Sequence, residues 1–171
     1  MAASILAEFE THKPTLESGV KLDLVFAFPD YDETTGEPVN DALKKNGVKA
    51  LGVTRIVNLK DRSKGLGDAE ICLDGHWWER AEEAEQRALL DHELHHIVPT
   101  KKTDDLGRPK LKLRKHDVDI GWFAIIAQRH GARSQERKQA ASMVEVYGQF
   151  FFPEILNSTA TRMQRLESKT K

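Results

Sequence analysis

The run Asp91-His92-Glu93-Leu94-His95-His96 constrains this chain more than any other feature of its sequence. His92, Glu93 and His96 satisfy the pattern H-E-x-x-H. They fall inside AEEAEQRALLDHELHHI (81–97), which has no Gly or Pro and is rich in the strong helix formers Ala, Leu, Glu and Gln. Its acidic front end (Glu82, Glu83, Glu85) suits the positive end of a helix dipole. On a helix, residues four apart lie one turn apart on the same face. His92 and His96 can therefore offer imidazole nitrogens to one metal ion. Glu93, beside the first of them, can take a proton from a metal-activated water, the nucleophile of metal-assisted hydrolysis.

Cysteine content narrows the metal chemistry. Cys72 is the one cysteine, which excludes a disulfide framework and a multi-cysteine zinc site. Seven histidines remain, and imidazoles suit zinc, so the expected cofactor is Zn2+ at one ion per chain. His92 with His95 is a competing pair, but it leaves Glu93 without a role. A catalytic zinc takes three protein ligands and keeps one position open. His116 is the favoured third ligand. It stands where a basic strand meets the start of a helix, twenty residues after His96, and a hairpin of that length returns the chain to the motif. His130 lies a further fourteen residues on, about 20 Å along a helix at 1.5 Å per residue, and reads as a histidine at a helix end. His12 and His76 are further alternatives. Asp117 reads as a helix N-cap.

The chain has 171 residues, enough for one domain with a core. Lys+Arg 26 against Asp+Glu 27 gives a net charge of −1, so the chain as a whole is not a polycation built for nucleic acid. Along the chain we expect a short helix within 1–18 ended near Pro14, and a strand at 21–28. An acidic loop (29–41) and a helical turn at 41–45 closed by Asn46-Gly47 should follow. A strand over 48–59, a loop at 61–68 and a strand at 69–74 lead to the motif helix. A hairpin (97–102 and 109–115) then precedes a helix from Asp117 to about Arg129 and further helix from Ser134 to Arg165, interrupted at Pro153. This order predicts an α+β fold, a small mixed or antiparallel sheet packed with the motif helix and C-terminal helices. We expect a single domain over 1–171, with its core at about 20–150 and a helical tail at about 153–171.

In the second hairpin strand, Lys110, Lys112 and Arg114 share one face and Leu111 and Leu113 the other. The basic face either protects a sheet edge or contacts nucleic acid or an acidic protein. Trp77, Trp78, Trp122 and Phe123 read as core. Phe150, Phe151 and Phe152 read as core or as a docking surface. No stretch approaches the roughly 20 apolar residues of a membrane span, and the start lacks a secretory pattern. The expectation is a soluble, cytoplasmic protein.

LLDHELHH followed by KHDVDIGWFAIIAQRHG resembles the phage metallopeptidase family. The upstream stretch NGVKALGVTRIVNLKDRSKGLGDAEICLDGHWW is similar to it as well, with an Asp-Gly-x-x-Trp turn before the motif helix. The resemblance spans about residues 40–131. It implies a zincin-like fold, zinc-dependent peptidase activity and, for a phage-encoded protein, the host cytoplasm. A weaker similarity to SprT-like proteases places a third histidine at the start of a helix, matching KHDVDIGWF. By that comparison His92, His96 and His116 match metal ligands and Glu93 the catalytic base. SprT-like proteins often add a zinc ribbon, which a chain with only Cys72 cannot build from cysteines.

The resulting expectation is a zinc metallopeptidase acting on a protein or peptide, with strand 69–73 as an edge for an extended substrate. Tyr147, His76 and Arg114 are open choices for stabilising the oxyanion. Two other classes stay open: a non-peptidase zinc amidohydrolase, and a nucleic-acid-associated or anti-defence phage protein that uses the zinc fold as a binding module. The oligomeric state is not readable from the sequence.

Overall fold

The alternation of apolar residues in Ala69-Glu70-Ile71-Cys72-Leu73-Asp74 builds the centre of the fold. In a computed structural model, residues 1–116 and 123–142 are described. They form α1 (Ala2–Glu8), a 3-10 turn (Glu10–His12), α2 (Lys13–Glu17), β1 (Leu22–Ala27), β2 (Lys44–Lys45), β3 (Val48–Lys49) and β4 (Gly52–Ile56). Next come α3 (Leu59–Ser63), β5 (Ala69–Asp74), α4 (Gly75–Trp78), α5 (Glu83–His95), β6 (Ile97–Thr103), β7 (Pro109–Leu113) and α6 (Ala124–His130). Residues 135–142 are helical. The architecture is α+β, as the element order predicts. No helix among the described residues is long and apolar enough to cross a membrane.

One sheet has the order β1-β5-β4, with β1 parallel and β4 antiparallel to β5. Strand side chains alternate between faces, so Ala69, Ile71 and Leu73 share one, fully buried. Leu89, Leu90 and Leu94 of α5 cluster with them, and Ile5 and Leu6 of α1 complete the core. Trp77 and Trp78 pack against this cluster, as expected. β6 and β7 form a separate antiparallel hairpin. Buried ions fix its turn to the sheet: Arg62 pairs with Asp68 and lies 2.8 Å from Asp104, while Arg108 lies 2.8 Å from Asp68.

The motif helix begins at a capping box in which the Glu82 side chain accepts from the N3 backbone and Glu85 returns the bond. Its buried Asp91 gathers hydrogen-bond donors from both ends of the described chain. His12 Nε2 donates to Asp91 at 2.6 Å, His130 Nε2 at 2.7 Å and Arg129 Nη1 at 3.1 Å. Burial opposes ionisation of Asp91, but the bonds from His12 and His130 and the charge of Arg129 outweigh it, holding the carboxyl well below the usual range.

Several sequence expectations are corrected. Asp41–Lys45 is not a helical turn: Lys44–Lys45 pairs with Val48–Lys49. Asn46 (φ 53°) and Gly47 (φ 81°) both adopt left-handed backbone, which makes the tight hairpin turn that Asn-Gly favours. The 48–59 strand is interrupted at Ala50-Leu51 and ends at Ile56. Asn58 then caps α3 by accepting from Asp61 N at 3.0 Å, so part of the 61–68 loop is helical. Pro14 occupies the first turn of α2 rather than ending a helix. Strand 69–74 is central, not an edge, because both its sides are paired. Asp117, Trp122 and the tail from 143 onward lie outside the described residues.

Asp91→Asn should lower stability by up to about 3 kcal/mol in urea denaturation, because it leaves the half-buried Arg129 without its counter-charge. The wild-type carboxylate has a lowered pKa, so its stabilisation is complete above the unfolded value of about 4 and is lost as the pH falls through and below that value. The acid limb of the stability profile of Asp91→Asn should therefore be flatter than that of the wild type.

Candidate metal centre

α5 ends at His95 and His96 is its C-cap, still in helical conformation, so the i, i+4 spacing of His92 and His96 holds to the helix end. The chain then leaves along β6 and returns along β7. Arg114 N donates to His96 O at 2.7 Å, which brings His116 back to the motif. The ring centroids are 5.2 Å apart for His92–His96, 5.1 Å for His92–His116 and 4.7 Å for His96–His116. One ligand nitrogen from each of the three lies within 4.8 Å of the others, close enough to hold one metal ion. Phe123, fully buried, packs against all three rings.

The outer nitrogens are already committed. His96 Nδ1 donates to the Arg114 carbonyl at 2.8 Å, and His92 Nδ1 to Glu136 Oε1 at 2.5 Å. Each ring therefore keeps Nε2 for the centre. His92 Nε2 and His116 Nε2 face each other at 3.2 Å. Burial, with smaller contributions from His92 and His116, pushes the His96 pKa down to about 3, keeping it the neutral imidazole that a metal needs. A borderline-soft divalent ion matches such a donor set.

Glu93 is buried beneath this centre against β4. Its Oε2 accepts from Thr54 Oγ1 at 2.7 Å. Burial pushes its carboxyl above the ordinary range, against the opposing influence of His92 and the Thr54 bond. A Cβ at Gly52 would stand 2.5 Å from Glu93 Oε1, so a side chain there would displace the carboxylate.

The other histidines have different partners. His95 Nε2 accepts from Arg114 Nη1 at 2.6 Å; burial, then the nearby Arg114 charge, lower its pKa to about 4. His12 and His130 are bound to Asp91, and His76 Nδ1 lies 3.0 Å from the Tyr31 hydroxyl. Lys110 and Lys112 are exposed on β7, whereas the Arg114 guanidinium turns to His95. Tyr147 lies outside the described residues. Glu136, Thr54 and Gly52 escaped the sequence reading. Only Gly52 carried a local signal, as a glycine inside a strand pattern.

A cleft of about 910 Å³ opens on the three histidines and Glu93. Residues 20–147 match the family described as "Putative phage metallopeptidase". The chain belongs to this family. No curated protein and no solved structure matches it. The family implies a metal ion, and His92, His96 and His116 are the described residues that could hold it.

Glu136→Gln should weaken metal affinity about 10–100-fold, because the carboxylate orients His92. Titration with a competing chelator would measure this, and far-UV circular dichroism should stay unchanged.

Proposed function

We propose that the protein is a zinc-dependent metallopeptidase with a zincin-like fold. His92, His96 and His116 hold the metal and Glu93 is the general base. The observation that carries this reading is the convergence of three imidazoles beside a buried carboxylate at the floor of an open cleft. Zinc held there would supply Lewis acidity, polarising a scissile carbonyl and acidifying a water.

The protein's own residues do the rest. Glu93 takes a proton from the attacking water and returns it to the leaving amine. The Thr54 hydroxyl fixes one carboxylate oxygen, and Gly52 leaves room for the other. Glu136 and the Arg114 carbonyl orient the two helix imidazoles. Phe123 covers the rings on an apolar side and limits water there. β4 pairs with β5 on one side only among the described residues. Its other edge is the place for an extended peptide, in the role first assigned to 69–73. An edge strand that touches the base favours a peptide over a small amide.

His116→Ala should strip zinc from the purified protein, whereas His130→Ala should keep it, since the His130 ring serves Asp91. Glu93→Gln should retain zinc and lose hydrolysis of a casein or peptide-pool substrate. Full zinc retention in His116→Ala by elemental analysis would remove the three-histidine site. Undiminished hydrolysis by Glu93→Gln would remove the assigned base.

A further inference from the structure

The cleft over the three histidines is walled by cations. Lys45 and Lys49 come from the β2–β3 hairpin, and Arg114 and Lys115 from the segment leading to His116. The turn with left-handed Asn46 and Gly47 fixes the hairpin, and Ala50 N closes it by donating to Leu43 O at 3.0 Å. Lys45, Lys49 and Lys115 are exposed and form no ion pair among the described residues. Among the described residues, the acidic groups lining the same cleft are Glu93 and Glu136, both buried and bonded to Thr54 and His92. A net charge of −1 for the whole chain makes this local excess a property of the cleft rather than of the surface at large. A concave site walled by one sign of charge concentrates the opposite charge.

Two observations select the kind of anion. No Phe, Tyr or Trp is among the described residues lining the cleft, the side chains on which single-stranded bases most often stack. The edge of β4 that pairs with no other strand among the described residues is where an extended peptide would find backbone partners. We propose that the cleft selects peptides carrying acidic side chains next to the bond presented to the histidines, with Lys45, Lys49 and Lys115 reading those side chains. This selectivity rests on the peptidase reading above and names its substrate class.

The test separates binding from cleavage. Zinc-loaded full-length Glu93→Gln protein is titrated into fluorescein-labelled decapeptides of alternating Glu-Ala or Lys-Ala and into a labelled single-stranded decanucleotide. The Glu peptide should bind about tenfold more tightly than the Lys peptide at low salt, with the gap closing as salt rises. Adding Lys45→Glu and Lys49→Glu, or Lys115→Glu alone, should erase the preference. Lys60→Glu with Lys64→Glu, on α3 and its C-cap and equal in charge change to the Lys45 and Lys49 pair, should preserve it. Equal binding of the two peptides overturns the proposal, as does a rim variant that behaves like the α3 control. Tighter, rim-dependent binding of the oligonucleotide overturns it in favour of a nucleic-acid site. Cleavage of both peptides by the wild-type protein, read by mass spectrometry, completes the separation. Equal cleavage sinks the selectivity and leaves the peptidase. A rim-dependent preference for the Glu peptide without cleavage sinks the peptidase and leaves an acid-binding cleft.

Discussion

A buried carboxylate next to the first motif histidine organises this fold. Asp91 has no exposure, and an ion in that position is tolerated only when its charge is met. His12, Arg129 and His130 meet it, from segments that lie 79, 38 and 39 residues away in sequence. Those bonds draw the N-terminal helices and α6 onto α5. Arg129 adds a bond to Thr11 and stacks 4.3 Å over Phe9, so the gathering is apolar as well as ionic. The consequence reaches the metal centre. With α6 fixed at its end, its N-cap Phe123 is held under the three histidines. The helical residues 135–142 that follow deliver Glu136 to His92, and Lys138 pairs with Glu85 at the start of α5.

The division of labour among the histidines follows from who claims each ring. His12 and His130 are claimed by Asp91, and His95 by the Arg114 guanidinium, which leaves its Nε2 an acceptor. His92 and His96 are each claimed at Nδ1 by an acceptor. An acceptor at one ring nitrogen holds the proton there and leaves a lone pair on the other. Partner chemistry therefore separates His96 from its neighbour His95, although sequence spacing alone allowed either to pair with His92. Arg114 acts on both, with its backbone on His96 and its side chain on His95.

What was legible in the sequence was local. The helix period gave the motif face, and alternation gave β5 and the basic hairpin strand. Asp74-Gly-x-x-Trp gave the one-turn α4, which the Asp74 side chain caps by accepting from Trp77 N at 3.0 Å. The placement of His116 followed from hairpin length. The errors were also local: Asn46-Gly47 closes a hairpin rather than a helix, and Asn58 starts α3 inside an expected strand and loop. Sheet order was beyond pattern reading, because β5 becomes central only through a parallel partner 47 residues upstream. Glu136 and the Asp91 network are side-chain pairings across 38 to 79 residues, with no periodicity to announce them.

The contact between α5 and β4 carries the last step. Thr54 and Gly52 stand two residues apart on β4, so both side-chain positions face the same way, toward Glu93. The hydroxyl at one position bonds the carboxylate, and the missing side chain at the other admits it. β4 is at the same time a strand that, among the described residues, pairs with a neighbour on one side only. In the proposed peptidase, the element that would fix a peptide's register is thus the one that fixes the base. A shift of β4 along α5 would move both together and keep their relation. The carboxylate is thus held from outside its own helix: helix geometry sets Glu93 beside the histidines, and the Thr54 hydroxyl and the bare Gly52 on β4 set where its oxygens point.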